Sequence, residues 1–90
     1  VTKRNLTWTP YAWEEYQYWA KHDKKVRAKV DPLLADIWRS PFEGIGKPEK
    51  LKENYAGFWS RRITGEHRLV YAIADDQIRV VGCRFHYAKG

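Results

Sequence analysis

The sequence predicts an α+β fold, with two N-terminal helices packed on one face of a mostly antiparallel sheet in the order β-α-α-loop-β-β-β. Three observations lead there. Between residues 10 and 39, apolar side chains recur at helical spacing. Residues 40–50 carry Pro41, Gly44, Gly46 and Pro48, the punctuation of a loop. Three strand-like runs follow, at about 57–63, 67–74 and 77–84. Helices gathered ahead of strands, rather than alternating with them, give an α+β layering that leaves the far face of the sheet open.

Taken in order, residues 5–9 alternate polar and apolar and read as a first strand. Thr9-Pro10 is a helix start, with Thr9 as N-cap and Pro10 at the first helical position. Glu14 and Glu15 fall early in that helix, where its dipole favours them. The helix runs to about His22. Trp13, Tyr16 and Ala20 form one apolar stripe, with Ala12 and Trp19 beside it. Tyr11 and Tyr18 lie a heptad apart on a second stripe, which is either the edge of a wide core face or a contact surface for a partner. Asp23 caps a second helix running to about Arg39, whose core positions are Val26, Val30, Leu33, Leu34 and Ile37. Lys24, Lys25, Arg27 and Lys29 read as its solvated faces. Pro32 inside that helix removes one hydrogen bond and clashes with the carbonyl of Ala28, at a cost of about 3 kcal/mol, so a kink or a break is expected there. Asp75-Asp76 is a tight turn between the last two strands.

Ninety residues are expected to form one domain, 1–90. A chain of this length buries only about 60–65% of its unfolded surface. Five Trp, six Tyr and three Phe suit that need, since each ring removes much apolar area at low rotamer cost. The single cysteine, Cys83, excludes an intramolecular disulfide and is consistent with a reducing interior. No run approaches the roughly 18–20 apolar residues of a membrane span. The opening VTKRNLTW lacks the apolar core of a signal peptide. A cytoplasmic location without membrane contact is therefore expected. A net charge of +6, with an isoelectric point of about 9.6, points to an acidic partner such as RNA, DNA, a ribosome or an acidic protein.

The candidate chemistry lies late in the chain. If Thr64-Gly65-Glu66 form a hairpin loop, Ile63 pairs with His67 and Arg62 sits opposite Arg68, on the same face. Two arginines so placed repel, and a bound anion would remove the repulsion. With a two-residue loop, Arg61 or Ile63 would share that face instead. Ordinary exposed charge is the competing explanation. His22 and His67 read as surface residues. No paired HxxxH spacing, phosphate-cradling GxxxxGK[ST] or nucleophile elbow is present, so no metal or cofactor is expected. Glu49, Lys52, Arg62, Arg68 and His86 are instead the parts needed for metal-free RNA cleavage. Attack of a 2′-OH on the adjacent phosphorus needs a base, an acid, and cations where charge grows. Histidine, with an ordinary pKa of about 6.5, can hold and release a proton near neutrality.

The strings PFEGIGKPEKLK at 41–52, GFWSRRITGEHRLVYAI at 57–73 and CRFHY at 83–87 closely resemble the YoeB (Txe/YoeB) toxins of bacterial toxin–antitoxin modules, within the RelE/ParE superfamily. LTWTPYAWEEYQYW is similar to that family's first strand and aromatic helix, and the likeness covers about residues 6–87. The resemblance implies a RelE-like fold with a twisted sheet, and a ribosome-dependent endonuclease that cuts mRNA in the A site of the 70S ribosome. It implies Glu49 as general base, His86 as general acid and Arg68 as transition-state stabiliser. Lys52 and Arg62 would hold phosphate, and Tyr87 would orient or stack on the substrate. Products would be a 2′,3′-cyclic phosphate and a 5′-OH. It further implies homodimerisation and inhibition by an acidic, partly disordered antitoxin. Two departures stand out: Ala88-Lys89-Gly90 extend past the His-Tyr pair at which family members often end, and Pro32 interrupts the second helix. The alternative on the same fold is a toxin that blocks a ribosome or a topoisomerase without cutting RNA. The presence of both Glu49 and His86 argues against it.

Overall fold

The computed structural model describes residues 4–84. The elements are β1 (Asn5–Trp8), α1 (Pro10–His22), α2 (Lys24–Arg39), β2 (Glu49–Lys50), a 3₁₀ turn (Glu53–Tyr55), β3 (Phe58–Arg62), β4 (Arg68–Ile73) and β5 (Gln77–Gly82). They form one five-stranded sheet in the order β1-β5-β4-β3-β2. All pairings are antiparallel except β1 with β5, which is parallel, and α1 and α2 carry the chain from β1 across the sheet to β2 at the opposite edge. The α+β order is as expected. The extra strand is not: β2 lies within the stretch 40–50 that reads as loop, pairing Glu49 with Ser60 and Lys50 with Trp59. Two residues are too few to show alternation, so only the edge of β3 defines this strand.

Both helix starts follow the residues that announce them. Thr9 Oγ1 accepts from the N–H of Ala12 at 3.1 Å, and Asp23 Oδ1 accepts from the N–H of Val26 at 3.3 Å. The N–H of Asp23 also donates to the carbonyl of Trp19 at 2.9 Å, so one residue ends α1 and begins α2. Helix α2 continues through Pro32. Pro32 and Ala28 are both exposed, which leaves water to serve the carbonyl that loses its partner. Lys24, Lys25 and Lys29 are solvated as expected, whereas Arg27 lies 3.8 Å over the Tyr16 ring and bonds Asp31 at 3.3 Å.

The core sits between α2 and the inner face of the sheet. Val30, Leu33 and Ile37 pack against Leu69, Tyr71, Ile78 and Val80. The buried line of α1 is Ala12, Glu15 and Trp19, not the stripe through Trp13 and Tyr16. Trp8 draws those two rings into an aromatic rim, with centroids at 5.5 and 4.8 Å. Tyr11 is 65% exposed, so the core face does not widen to include it. Glu15 does not act as a solvent-facing partner of the helix dipole; it is buried and accepts from the N–H of Cys83 at 2.8 Å.

Strand β3 turns a charged side chain into the core. Arg61 alternates with Trp59 and Ile63 on the inner face of β3, and its side chain is fully buried. Its five N–H groups meet five acceptors. Nη1 reaches Asp36 Oδ2 at 2.6 Å and the Ile45 carbonyl at 2.8 Å, and Nη2 reaches the carbonyls of Ser40 at 2.8 Å and Glu43 at 3.0 Å. Nε donates to the Tyr71 hydroxyl at 3.0 Å, which in turn donates to the Pro41 carbonyl at 2.8 Å. Asp36 also accepts from the N–H of Ile45 at 3.0 Å and from Arg39 Nη2 at 2.9 Å. Gly44, at φ +130°, is required here: a Cβ would overlap the Asp36 carboxylate.

Removing one partner of a buried ion pair strands the other. Asp36→Ala is expected to cost about 3–5 kcal/mol in urea unfolding; a loss under about 1 kcal/mol would show that the carbonyls alone satisfy Arg61. The Arg61 hydrogen bond holds the Asp36 carboxyl below the usual carboxylate range. A depressed folded pKa stabilises above the unfolded value of about 3.9 and is lost as pH falls through the folded value. The stability gap between wild type and Asp36→Asn should therefore be full above about pH 4 and shrink on further acidification. Cys83 is fully buried, and burial pushes its thiol up to about 12. A thiol reagent at pH 8 should leave native Cys83 untouched and modify it in denaturant; labelling of the native protein at a free-thiol rate would contradict this.

Candidate active site

Strand register decides which predicted residues meet. The N–H of Ile63 donates to the His67 carbonyl at 3.0 Å, so the hairpin loop is the three residues Thr64-Gly65-Glu66. Thr64 Oγ1 fastens it by accepting from the N–H groups of Glu66 and His67, each at 3.1 Å. Arg62 consequently sits opposite Arg68, Arg61 opposite Leu69, and Ser60 opposite both Val70 and Glu49. Directly opposed residues share a face, and alternation puts that face away from Arg61 and the helices. Glu49, Ser60, Arg62 and Arg68 therefore share the far side of the sheet. Glu49 is a diagonal neighbour of Arg62 across the β2–β3 pair, a relation that typically separates Cα atoms by about 7–8 Å.

The far face is not bare. Leu51, Ser60 and Val70 on it are buried, with Leu51 held by its N–H to the Phe58 carbonyl at 2.9 Å. Charged groups flank this buried row: Glu49 and Arg62 are exposed, Arg68 is not. The two arginines avoid each other by different means. Arg62 extends into water, while Arg68 turns back on the hairpin, where Nη1 donates to the carbonyls of Thr64 at 2.7 Å, His67 at 3.1 Å and Gly65 at 3.3 Å. Among the described residues, its Nε and Nη2 take no such bond. Carbonyls rather than an anion thus offset part of the Arg68 charge. The guanidinium is fixed in place with donors to spare among the described residues, as an anion site needs.

Lys52 is exposed and lies beyond the last paired residue of β2, at the start of the 3₁₀ turn, so the register alone does not bring it into the charged row. His86 and Tyr87 fall outside the described residues. The chain that leads to them leaves β5 at Gly82, opposite Val70, and the antiparallel direction carries Cys83 and Arg84 toward the Arg68 end of β4. Arg84 stacks 3.7 Å over the Tyr18 ring. His67 is not the surface residue its sequence context suggests: its side chain is 13% exposed and meets the Trp19 ring edge-on at 4.7 Å. His22 is exposed and stacks on Tyr18 at 4.4 Å. Among the described residues, no three His, Cys, Asp or Glu side chains gather at one point. No helix among them is long and apolar enough to cross a membrane.

The chemistry this permits is narrow. An edge carboxylate can take a proton, a braced guanidinium and an exposed one can hold phosphoryl oxygens, and the described chain leaves β5 toward the Arg68 end of β4. Sequence reasoning missed the Arg61–Asp36 pair and β2, which together present Glu49. A signal for the pair did exist: adjacent Arg61 and Arg62 in one strand must face opposite ways, so one of them enters the core.

The family model for the YoeB-like toxin of bacterial type II toxin–antitoxin systems matches residues 8–87. Toxin YoeB of Escherichia coli strain K12 is 54% identical over 82 residues, covering 91% of this chain and 98% of that one. Two Staphylococcus aureus structures align over 96% of this chain and 100% of theirs, each at 48% identity. They are a YoeB dimer, with a TM-score of 0.85, and a heterotetrameric YoeB–YefM toxin–antitoxin complex, with a TM-score of 0.83. With the α+β architecture shared as well as the sequence, the chain belongs to the YoeB-like toxins of type II toxin–antitoxin systems.

Proposed function

We propose that this toxin is a cytoplasmic, ribosome-dependent endoribonuclease that cleaves mRNA in the A site of the 70S ribosome by acid–base catalysis and so stops translation. The observation that carries the reading is the shared far face of Glu49, Arg62 and Arg68, with the chain toward His86 leaving β5 at its Arg68 end. Glu49 takes the proton of the 2′-OH as that oxygen attacks the adjacent phosphorus. Arg68, braced by the hairpin carbonyls, donates to the phosphoryl oxygens as charge develops. Arg62 and Lys52 hold flanking phosphates, Tyr87 orients or stacks on a base, and His86 protonates the departing 5′ oxygen. A 2′,3′-cyclic phosphate and a 5′-OH result.

Exposure of Glu49 and Arg62 explains a need for the ribosome. A shallow sheet face cannot hold a flexible strand with attacking oxygen, phosphorus and leaving oxygen in line, and the ribosome supplies that orientation. The net charge of +6 suits both the RNA surface and an acidic antitoxin. The YoeB–YefM heterotetramer and the YoeB dimer of the relatives support an antitoxin partner and homodimerisation for this chain.

The decisive experiment mixes purified toxin with translating ribosomes on a defined mRNA and maps both new ends. We expect codon-positioned cuts bearing a cyclic phosphate, abolished by Glu49→Ala and by His86→Ala. Arrest without new ends would favour the non-cutting, ribosome-blocking alternative. Arg68→Ala should slow cleavage by about 10²–10³, as loss of one transition-state donor usually does. Full activity of that variant would reduce Arg68 to a brace of the hairpin.

A further inference from the structure

The residue where β5 stops is held in an unusual way. Cys83 follows the last laddered residue, Gly82, yet neither of its backbone polar groups goes to β4. Its N–H donates to Glu15 Oε1 at 2.8 Å, and its carbonyl accepts from Trp19 Nε1 at 2.8 Å. Glu15 and Trp19 are one helical turn apart on α1, both buried, and so grip a single peptide residue from one side. Glu15 lies close over the strand end: a Cβ at Gly82 would stand 3.4 Å from Oε1. The next residue, Arg84, stacks on Tyr18 of the same helix.

Burying a carboxylate that serves a strand-end N–H, with the Tyr11 side chain as a further neighbour, is a costly way to end a strand, since water or a turn would serve that N–H on the surface. What the arrangement does achieve is a fixed exit. Two residues, and so three steps along the chain, separate Cys83 from His86, a span of at most about 10–11 Å. The direction of the chain at Cys83 therefore limits the region the imidazole can reach.

Resting on the nuclease reading above, we propose that Glu15 and Trp19 are positioning residues for His86: they clamp Cys83 so that the chain leaves the sheet toward the Arg68 end of the site. The clamp uses a charge-assisted bond, which is shorter and more directional than a neutral one. Neither residue touches RNA; each acts only through where it sends the chain.

The test is single-turnover cleavage on mRNA-programmed ribosomes at varied ribosome concentration, with each rate normalised to folded protein. Trp19→Phe keeps an aromatic ring but removes the Nε1–H donor together with part of the indole, so with rates normalised to folded protein it reads the clamp even if Glu15→Ala fails to fold. Both variants should lower the saturated rate about 10- to 10²-fold, the scale of a 1 Å misplacement. The half-saturating ribosome concentration should stay unchanged. Glu15→Gln, which retains an acceptor oxygen, should recover most of the lost rate. A saturated rate equal to wild type, or a change confined to half-saturation, overturns the positioning role. Absence of cleavage by wild type overturns the nuclease reading, and this role with it.

Discussion

The buried guanidinium of Arg61 is the interaction on which the rest of the molecule depends. A charge in a small core is tolerable only when every donor is met, and here five acceptors from α2, the 40–46 loop and β4 converge on it. Helix α2, the loop that follows it and the distant strand β4 are thereby locked to one side chain. The loop has no regular hydrogen bonding of its own, so it takes its shape from Arg61 inside and from the N–H of Arg62, which donates to the Gly46 carbonyl at 2.6 Å. Once Gly46 is pinned, the chain reaches the edge of β3 at Glu49 and adds β2. The candidate base is thus placed by a residue that faces the opposite side of the sheet.

Strand β3 separates scaffold from chemistry by alternation alone. Arg61 and Arg62 are chemically identical and adjacent, yet one is buried among carbonyls and the other stands in solvent. Arg68 is intermediate, buried and with one nitrogen bonded to the hairpin carbonyls. That hairpin depends on Thr64, whose hydroxyl takes two N–H groups of the loop. The two faces of one sheet therefore carry opposite electrostatic strategies: complete pairing inside, and deliberate surplus outside.

Much of the fold is legible in the residues. Thr9-Pro10 and Asp23 start their helices because side-chain oxygens meet N–H groups left over at a helix end, a local matter. Counting yields the Arg62–Arg68 opposition once the hairpin loop has three residues, a length that the Ile63–His67 hydrogen bond settles. What is not legible is non-local. Trp13 and Tyr16 look like core because their spacing is helical, but Trp8, on another element, turns them into a rim. Glu15 reads as a residue favoured by the helix dipole, yet a strand end 68 residues later takes its oxygen. The two-residue strand β2 has no periodicity to read.

The sequence by itself determined the α+β layering, the helix limits, the surplus of cationic side chains and, through long shared motifs, the toxin family. These rest on short-range rules or on strings that can be compared directly. Only the tertiary structure decided that Arg61 is structural while Arg62 is free, that Arg68 is braced by carbonyls, and that α1 grips the end of β5. Each of those outcomes depends on which distant acceptor reaches a given donor first. Folding settles that competition by distance and desolvation in three dimensions, which residue order does not record.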